Sequence, residues 1–549
     1  MGKVGIIYGN TLMEDLYFIK GLAKALSELN DEVYILCAYE ENVNKYDFID
    51  TAYVIQNRKL KRVYEKEHAE SQRISLISLN LPIMLTSTND ICKEKNVKKL
   101  SDANNDEING YMRAYEESLH ELYNTFGLNG LILMDFPILP YIAAKFKERY
   151  KLKFAIRIPT QNIENILKVP SHVLKYTLKG LVETEFIFVN DLFAKNKVVS
   201  AFSELVENLE SKIKIIPDGV DTAQFQLYDG TVTQFNKRIA NFASLVSKFK
   251  DGRKEEYSVL MDETLKRGTL SKRDLIELSS KIKNVYNPDH PDADILYKIK
   301  RIRWEKRPIV AYVGDFSPYS GIFDLIFAIP KVLLLHDIDF IFIGYSIYRE
   351  FIEMLLKALN MRNYGLVRLI LEAVKETIKE KELLSAIMIF FEKLKSEGRL
   401  QEYFMNAQQL RIKDKIKILG NLDDYALAEI LPLFDIIVFP VTSPKIHRSS
   451  VLKGMASGLV PIITNNDLLK DIAISICNTI TKINYKTLTI PPDPNVRINR
   501  LALNLKYWIS VLKKEEIKSV IKRSIRRVAE TYYSWNTTAK QIKVSLGIE

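Results

Sequence analysis

The chain has 549 residues, 47% of them hydrophobic and 27% charged, with a formal net charge of +11. A globular protein of two to four domains is implied, because that length buries more than one core. No run of about 18 apolar residues is present and the N-terminal "MGKVGIIYGN" enters a strand pattern directly, so neither a membrane span nor a leader is expected and the chain reads as cytoplasmic.

Cys37, Cys92 and Cys477 are scattered and have no metal-ligand spacing, so neither a disulfide framework nor a metal site is expected. The positive charge favours anionic partners: a phosphate-bearing ligand, an acidic lipid surface or nucleic acid. Lys and Arg are interleaved with Glu and Asp along helical segments instead of forming one tract, which argues against nucleic acid.

In chain order, short apolar runs alternate with helix-period segments. The first half gives "KVGIIY", "EVYILCAY", "GLILM", "KFAIRI", "EFIFVN" and "KIKIIP"; the second gives "PIVAYVG", "DFIFIG", "KIKILG", "DIIVFP" and "VPIITN". Strands that are apolar on both faces and alternate with helices predict parallel sheets covered on both sides, in two sets. Between the first two strands, Leu16, Ile19, Leu22, Ala23, Leu26 and Leu29 share one stripe, as in a crossover helix.

The expected organisation is an N-terminal Rossmann-like domain over 1–220, a helical insertion over 226–303 and a second Rossmann-like domain over 304–510. The second domain carries its own helical insertion over about 348–414. Basic, amphipathic helices close the chain over 511–549; they read as a solvated face, with peripheral membrane contact as the alternative.

Five ordered segments carry a resemblance. They are "KIKIIPDGVDTAQF" with Pro217, Gly219, Val220 and Asp221, "PIVAYVGDFSPYSGIFDLIFAIPKVL", "KIKILGNLDDYALAEILPLFDIIVFP", "VTSPKIHRSSVLKGMASGLVPIITN" and "TYYSWNTTAKQI". Together they resemble the nucleotide-sugar glycosyltransferases of the B-type fold, particularly the retaining family 4 type. The resemblance implies two Rossmann-like domains facing across a cleft, with acceptor on the first and donor on the second. It also implies that the final helix crosses back onto the first domain and that the nucleotide base is received near Asn421 and Leu422.

The same resemblance implies a basic pair in a Gly-Arg-x-x-x-x-Lys-Gly loop for the diphosphate and two Glu, eight positions apart, for the hydroxyls. Here Gly314 and Gly321 remain, but Asp315 and Ser320 stand at the cationic positions, and Lys445 and Lys453 stand at the two Glu positions. His447 and Arg448 fill positions that are usually Phe and Gly. An ammonium has no acceptor capacity, so Lys453 cannot grip a ribose diol as a carboxylate does. In the first domain the opening loop offers Gly9 and Asn10 in place of paired glycines, and Pro159 stands where a His is often found, close to Arg157.

Two readings stay open. In one, Lys445, Arg448 and Lys453, with the helix beginning near Ser449, hold a phosphate from the opposite side. In the other, Asp315 pairs with Lys445 or Lys453 across an emptied site. They lead to two functions: a retaining transferase that moves a hexose from a nucleotide sugar to a hydroxyl acceptor, or a catalytically impaired relative. The relative would act as a partner or regulatory subunit, or as an anionic-ligand binder, with its helical insertions as partner surfaces. No cofactor is expected beyond a nucleotide-sugar substrate. An epimerase or phosphorylase on a similar fold lacks a motif of its own.

Overall fold

The computed structural model describes residues 2–9, 16–38, 43, 46–56, 58–66, 73–81, 83–86, 97–160, 163–267, 269–304, 307–443 and 448–548. The chain divides into two compact units: unit 1 is Met1–Val220 with Tyr532–Glu549, and unit 2 is Asp221–Thr531.

Unit 1 is built on a nine-stranded sheet. Its strands in chain order are β1 (Lys3–Ile7), β2 (Glu32–Ala38), β3 (Thr51–Gln56), β4 (Lys59–Glu65) and β5 (Ile74–Leu79). A separate parallel pair follows, β6 (Met84–Thr86) and β7 (Val97–Lys99), and then β8 (Gly130–Leu133), β9 (Lys153–Ile158), β10 (Phe186–Val189) and β11 (Ile213–Ile215) return to the main sheet. The order across it is β11-β10-β9-β8-β1-β2-β5-β3-β4, parallel except for the β3–β4 hairpin. The order reverses at β1 and β8, the topological switch point at which such sheets open a crevice beyond their carboxyl ends.

Sequence periodicity did not reveal β3 to β5. β4, "KLKRVYE", lies at the sheet edge with no buried residue, and β5, "ISLISL", is broken by serines that are nonetheless buried. Ser75 is satisfied there by the Thr51 hydroxyl at 2.7 Å, which removes the cost of burying both polar groups.

The helix Leu16–Glu28 buries Ile19, Leu22, Ala23 and Leu26, as its apolar stripe requires. The last helix of the chain, Trp535–Leu546, packs on it within unit 1. Trp535 meets Phe18 edge-on, with ring centroids 5.3 Å apart, and covers Gly21 so closely that a Cβ there would fall 2.0 Å from the indole. The preceding helix, Glu515–Tyr532, lies in unit 2 up to Thr531.

Unit 2 holds β12 (Val310–Val313), β13 (Phe340–Ile343), β14 (Ile416–Ile418), β15 (Ile436–Phe439), β16 (Val460–Thr464) and β17 (Thr489–Ile490). Their order, β14-β13-β12-β15-β16-β17, is that of a doubly wound dinucleotide-binding sheet, with its switch point between β12 and β15. β12 to β16 have no exposed residue, in keeping with a parallel sheet covered on both faces.

Both inserted segments are helical. The first carries helices Val232–Val246, Glu256–Leu265, Lys272–Lys283 and Ile295–Lys300; the second, between β13 and β14, carries Arg349–Asn360, Tyr364–Thr377, Ser385–Ser396 and Leu400–Gln409. They are joined by buried charge. Arg349 grips Asp292 through two bonds of 2.8 and 2.7 Å, and Arg253 binds Glu350 at 3.1 Å and Glu353 at 2.8 Å. Burial opposes ionisation of Asp292 and Glu353, but the neighbouring cations win, and Glu353 is held at about 2. The Asp292 N–H also donates to the Leu419 carbonyl at 2.9 Å, which brings the first insertion against the end of β14. Among the described residues no helix is long and apolar enough to cross a membrane.

Candidate functional site

In unit 2 the carboxyl ends of β12 and β15 meet at the switch point. Gly314 leaves β12 with its N–H on the Ile343 carbonyl at 3.0 Å, and the loop that follows folds on its own side chains. The Asp315 carboxylate accepts from the Ser317 N–H at 3.2 Å and from the Ser317 hydroxyl. The buried Ser320 hydroxyl donates to the Ser317 carbonyl at 2.7 Å. Burial pushes the Asp315 carboxyl above its usual range, against the opposing bonds from Ser317.

Gly321 closes the loop with φ +73°, and a Cβ there would lie 1.9 Å from the Pro440 carbonyl oxygen. Only glycine fits both that backbone and that contact. The Thr442 N–H reaches the Tyr319 carbonyl at 3.0 Å, so the loops after β12 and β15 are pinned together. Where the resemblance implies two phosphate cations, this loop therefore has a half-buried carboxylate and a buried hydroxyl that serve the loop itself.

Two of the downstream cations, Lys453 and Arg448, are committed to carboxylates of the same unit. Lys453, 9% exposed inside helix Ser449–Ala456, places its Nζ 2.6 Å from Asp424 Oδ1 and 5.7 Å from the centre of the Phe225 ring. Arg448, buried just before that helix, sets Nη1 on both Asp471 oxygens at 2.9 and 3.0 Å and on the Leu468 carbonyl at 3.1 Å. Of the two partners that one reading offers Asp315, Lys453 is instead held by Asp424, which lies within reach at the first turn of helix Asp424–Ile430. Lys445 and His447 lie outside the described residues.

Asn421 and Leu422 are half-buried and lead into that same helix, which Asp423 caps by accepting from the Ala426 N–H at 2.8 Å. Ser449, half-buried, opens helix Ser449–Ala456. The edge of unit 2 thus gathers Gly314, Asp315, Ser320 and Gly321 in one loop, while Lys453 is joined to the Asn421–Leu422 turn through Asp424. Arg448 is turned away, holding the segment Leu468–Asp471.

Unit 1 has a polar group at its own carboxyl edge. Arg157, 1% exposed, lies over the Phe18 ring at 3.8 Å and contacts Asp218 Oδ1 at 3.3 Å, while the Asn190 amide donates to Asp218 Oδ2 at 2.7 Å. Thr160 donates to Asp191 at 2.6 Å, and Asp191 caps the next helix through the Ala194 N–H. Gly9 lies against Asp135, where a Cβ would fall 1.8 Å from Oδ2, and Tyr111 sets its hydroxyl 3.4 Å from the same oxygen. Asn10 lies outside the described residues. Asp135, Asn190, Asp218 and Asp424 escaped the sequence reading. The first three had a signal: Asp135, Asn190 and Asp218 come within the first few residues after the apolar strand runs "GLILM", "EFIFV" and "KIKII", where a doubly wound sheet displays its functional groups.

No protein-family model matches the chain, and no curated protein matches its sequence. Among solved structures, a glycosyltransferase from Rickettsia africae is similar over 100% of this chain and 98% of its own, at 16% identity and a TM-score of 0.50. Sucrose-phosphate synthase from Thermosynechococcus elongatus (12% identity, 99% and 98% coverage) and Anabaena HepE in complex with UDP and glucose (10% identity, 100% of both chains) each give a TM-score of 0.47. The first likeness, with the two doubly wound sheets, establishes the B-type glycosyltransferase fold and nothing finer.

Proposed function

We propose that the protein is a glycosyltransferase-like scaffold that has lost the conventional donor grip and acts as a partner or regulatory subunit. The observation that carries this reading is the Lys453–Asp424 pair at 2.6 Å. At a position where the resemblance to the retaining family 4 type implies a carboxylate for the sugar nucleotide's hydroxyls, the side chain is an ammonium already neutralised by its own unit. The loop of Gly314–Gly321 adds no cation for a diphosphate. Losing transfer needs one such change; rebuilding it needs several that agree.

A second reading, transfer of a hexose from a nucleotide sugar with retention, is favoured by one feature. The Asp424 side chain is 40% exposed beside Lys453, so a carboxylate still stands near that position and could accept from a diol. Titration calorimetry with UDP, UDP-glucose and related nucleotide sugars separates the two. The first reading expects no heat of binding; micromolar binding that Asp424→Asn weakens tenfold or more would overturn it in favour of the second.

A further inference from the structure

At the opposite, amino edge of the unit 2 sheet lies a cavity of about 1110 Å³. It is bounded by the start of the first insertion, by Ile302–Trp304, by the residues that lead into β12 and β15, and by helix Glu515–Tyr532. Its apolar wall is Leu227, Phe235, Ile302, Trp304, Ile309 and Leu433. The Trp304 ring is parallel to Phe434, at 5° and 6.1 Å, and Phe235 meets it edge-on at 5.5 Å, so this wall is braced.

The polar side of the cavity carries both signs of charge: Arg303, Arg307, Lys518, Lys522 and Arg523, with Asp229, Asp435 and Glu515. Arg303 and Arg307 are held by Asp337 and Asp339 outside the lining. Asp435, buried, serves two ammonium groups: Lys518 Nζ at 2.9 Å and Lys522 Nζ at 3.4 Å. Lys522 is itself buried and has otherwise, among the described residues, the carbonyls of Phe434 at 2.6 Å and Pro432 at 3.2 Å. Burial lowers its pKa, with the Asp435 charge opposing. The next residue, Arg523, is exposed and makes no ion pair with a described residue. Lys518 and Lys522 share the Asp435 carboxylate, so Arg523 is the lining cation left for a ligand anion to pair. A pocket of this size, apolar on one wall and charged on the other, has the anatomy of a small-molecule site.

We infer that this cavity binds an amphipathic anion: an apolar body against Trp304 and Ile309, with a phosphate or carboxylate head toward Lys518 and Arg523. The site is independent of the switch-point edge, because it lies at the other end of the same strands. An occupant would tie the first insertion to helix Glu515–Tyr532.

Trp304 supplies the readout, since of the three tryptophans it alone lines the cavity. The intact protein is titrated with dodecyl phosphate and with laurate, each below its micelle concentration, while tryptophan fluorescence is followed. A saturable change that Trp304→Phe removes, with the affinity reduced fivefold or more in Arg523→Gln, is expected. A response to only one of the two identifies the head group. No saturable change with either below about 1 mM, an unchanged affinity in Arg523→Gln, or equally tight binding of neutral dodecanol would each overturn the inference.

Discussion

Lys453 shows how one residue redirects a site. Its ammonium is 9% exposed and held by Asp424, so it is a structural cation as well as a substituted site position. Lys453→Glu, the change that restores the implied family residue, sets a second carboxylate against Asp424. We expect a loss of about 2 kcal/mol from unit 2. Thermal unfolding measures it, and the reversed pair Lys453→Glu with Asp424→Lys should recover more than half. A single variant as stable as the parent would show that the pair does not hold the edge together. Arg448 makes the same point from the other side: its sequence position suggested an anion site, but its guanidinium is spent on Asp471 and the Leu468 carbonyl.

At the scale of elements, the two insertions are fastened by ion pairs that depend on pH. Asp292 and Glu353 have folded values below their usual 3.8 and 4.5, with Glu353 near 2. Groups lowered in this way give stability that is fully present above the usual values and lost as pH falls through the folded ones. The docking of the first insertion on helix Arg349–Asn360 should therefore weaken between about pH 4.5 and 2. Amide hydrogen exchange of helix Glu256–Leu265 across that range checks it, and protection that stays flat to pH 2 would contradict the assignment. Asp315 acts in the opposite sense: burial raises its value, so its protonation on acidification favours the folded loop and does not contribute to this loss.

At the scale of the molecule, unit 1 is discontinuous in sequence, since it is closed by Tyr532–Glu549. Trp535 fills the space that Gly21 and Gly219 leave open and stands against Tyr17 at 5.5 Å and Phe18 at 5.3 Å. Trp535→Ala should cost unit 1 about 3–5 kcal/mol through the cavity it opens. In calorimetry the transition assigned to unit 1 should fall while that of unit 2 stays; equal shifts of both would refute the assignment of this helix to unit 1 alone. The sequence by itself determined the two parallel sheets, because strands apolar on both faces can be buried only between helices, and it determined which positions of the site are chemically unusual. It could not reveal β4 and β5, where edge exposure and paired buried hydroxyls erase the apolar signal. Nor could it say what Lys453, Arg448 and Asp315 do. The partner of a charge is set by which side chain the folded backbone brings within about 3 Å, and here that was Asp424, Asp471 and the loop's own Ser317, each decided by tertiary structure.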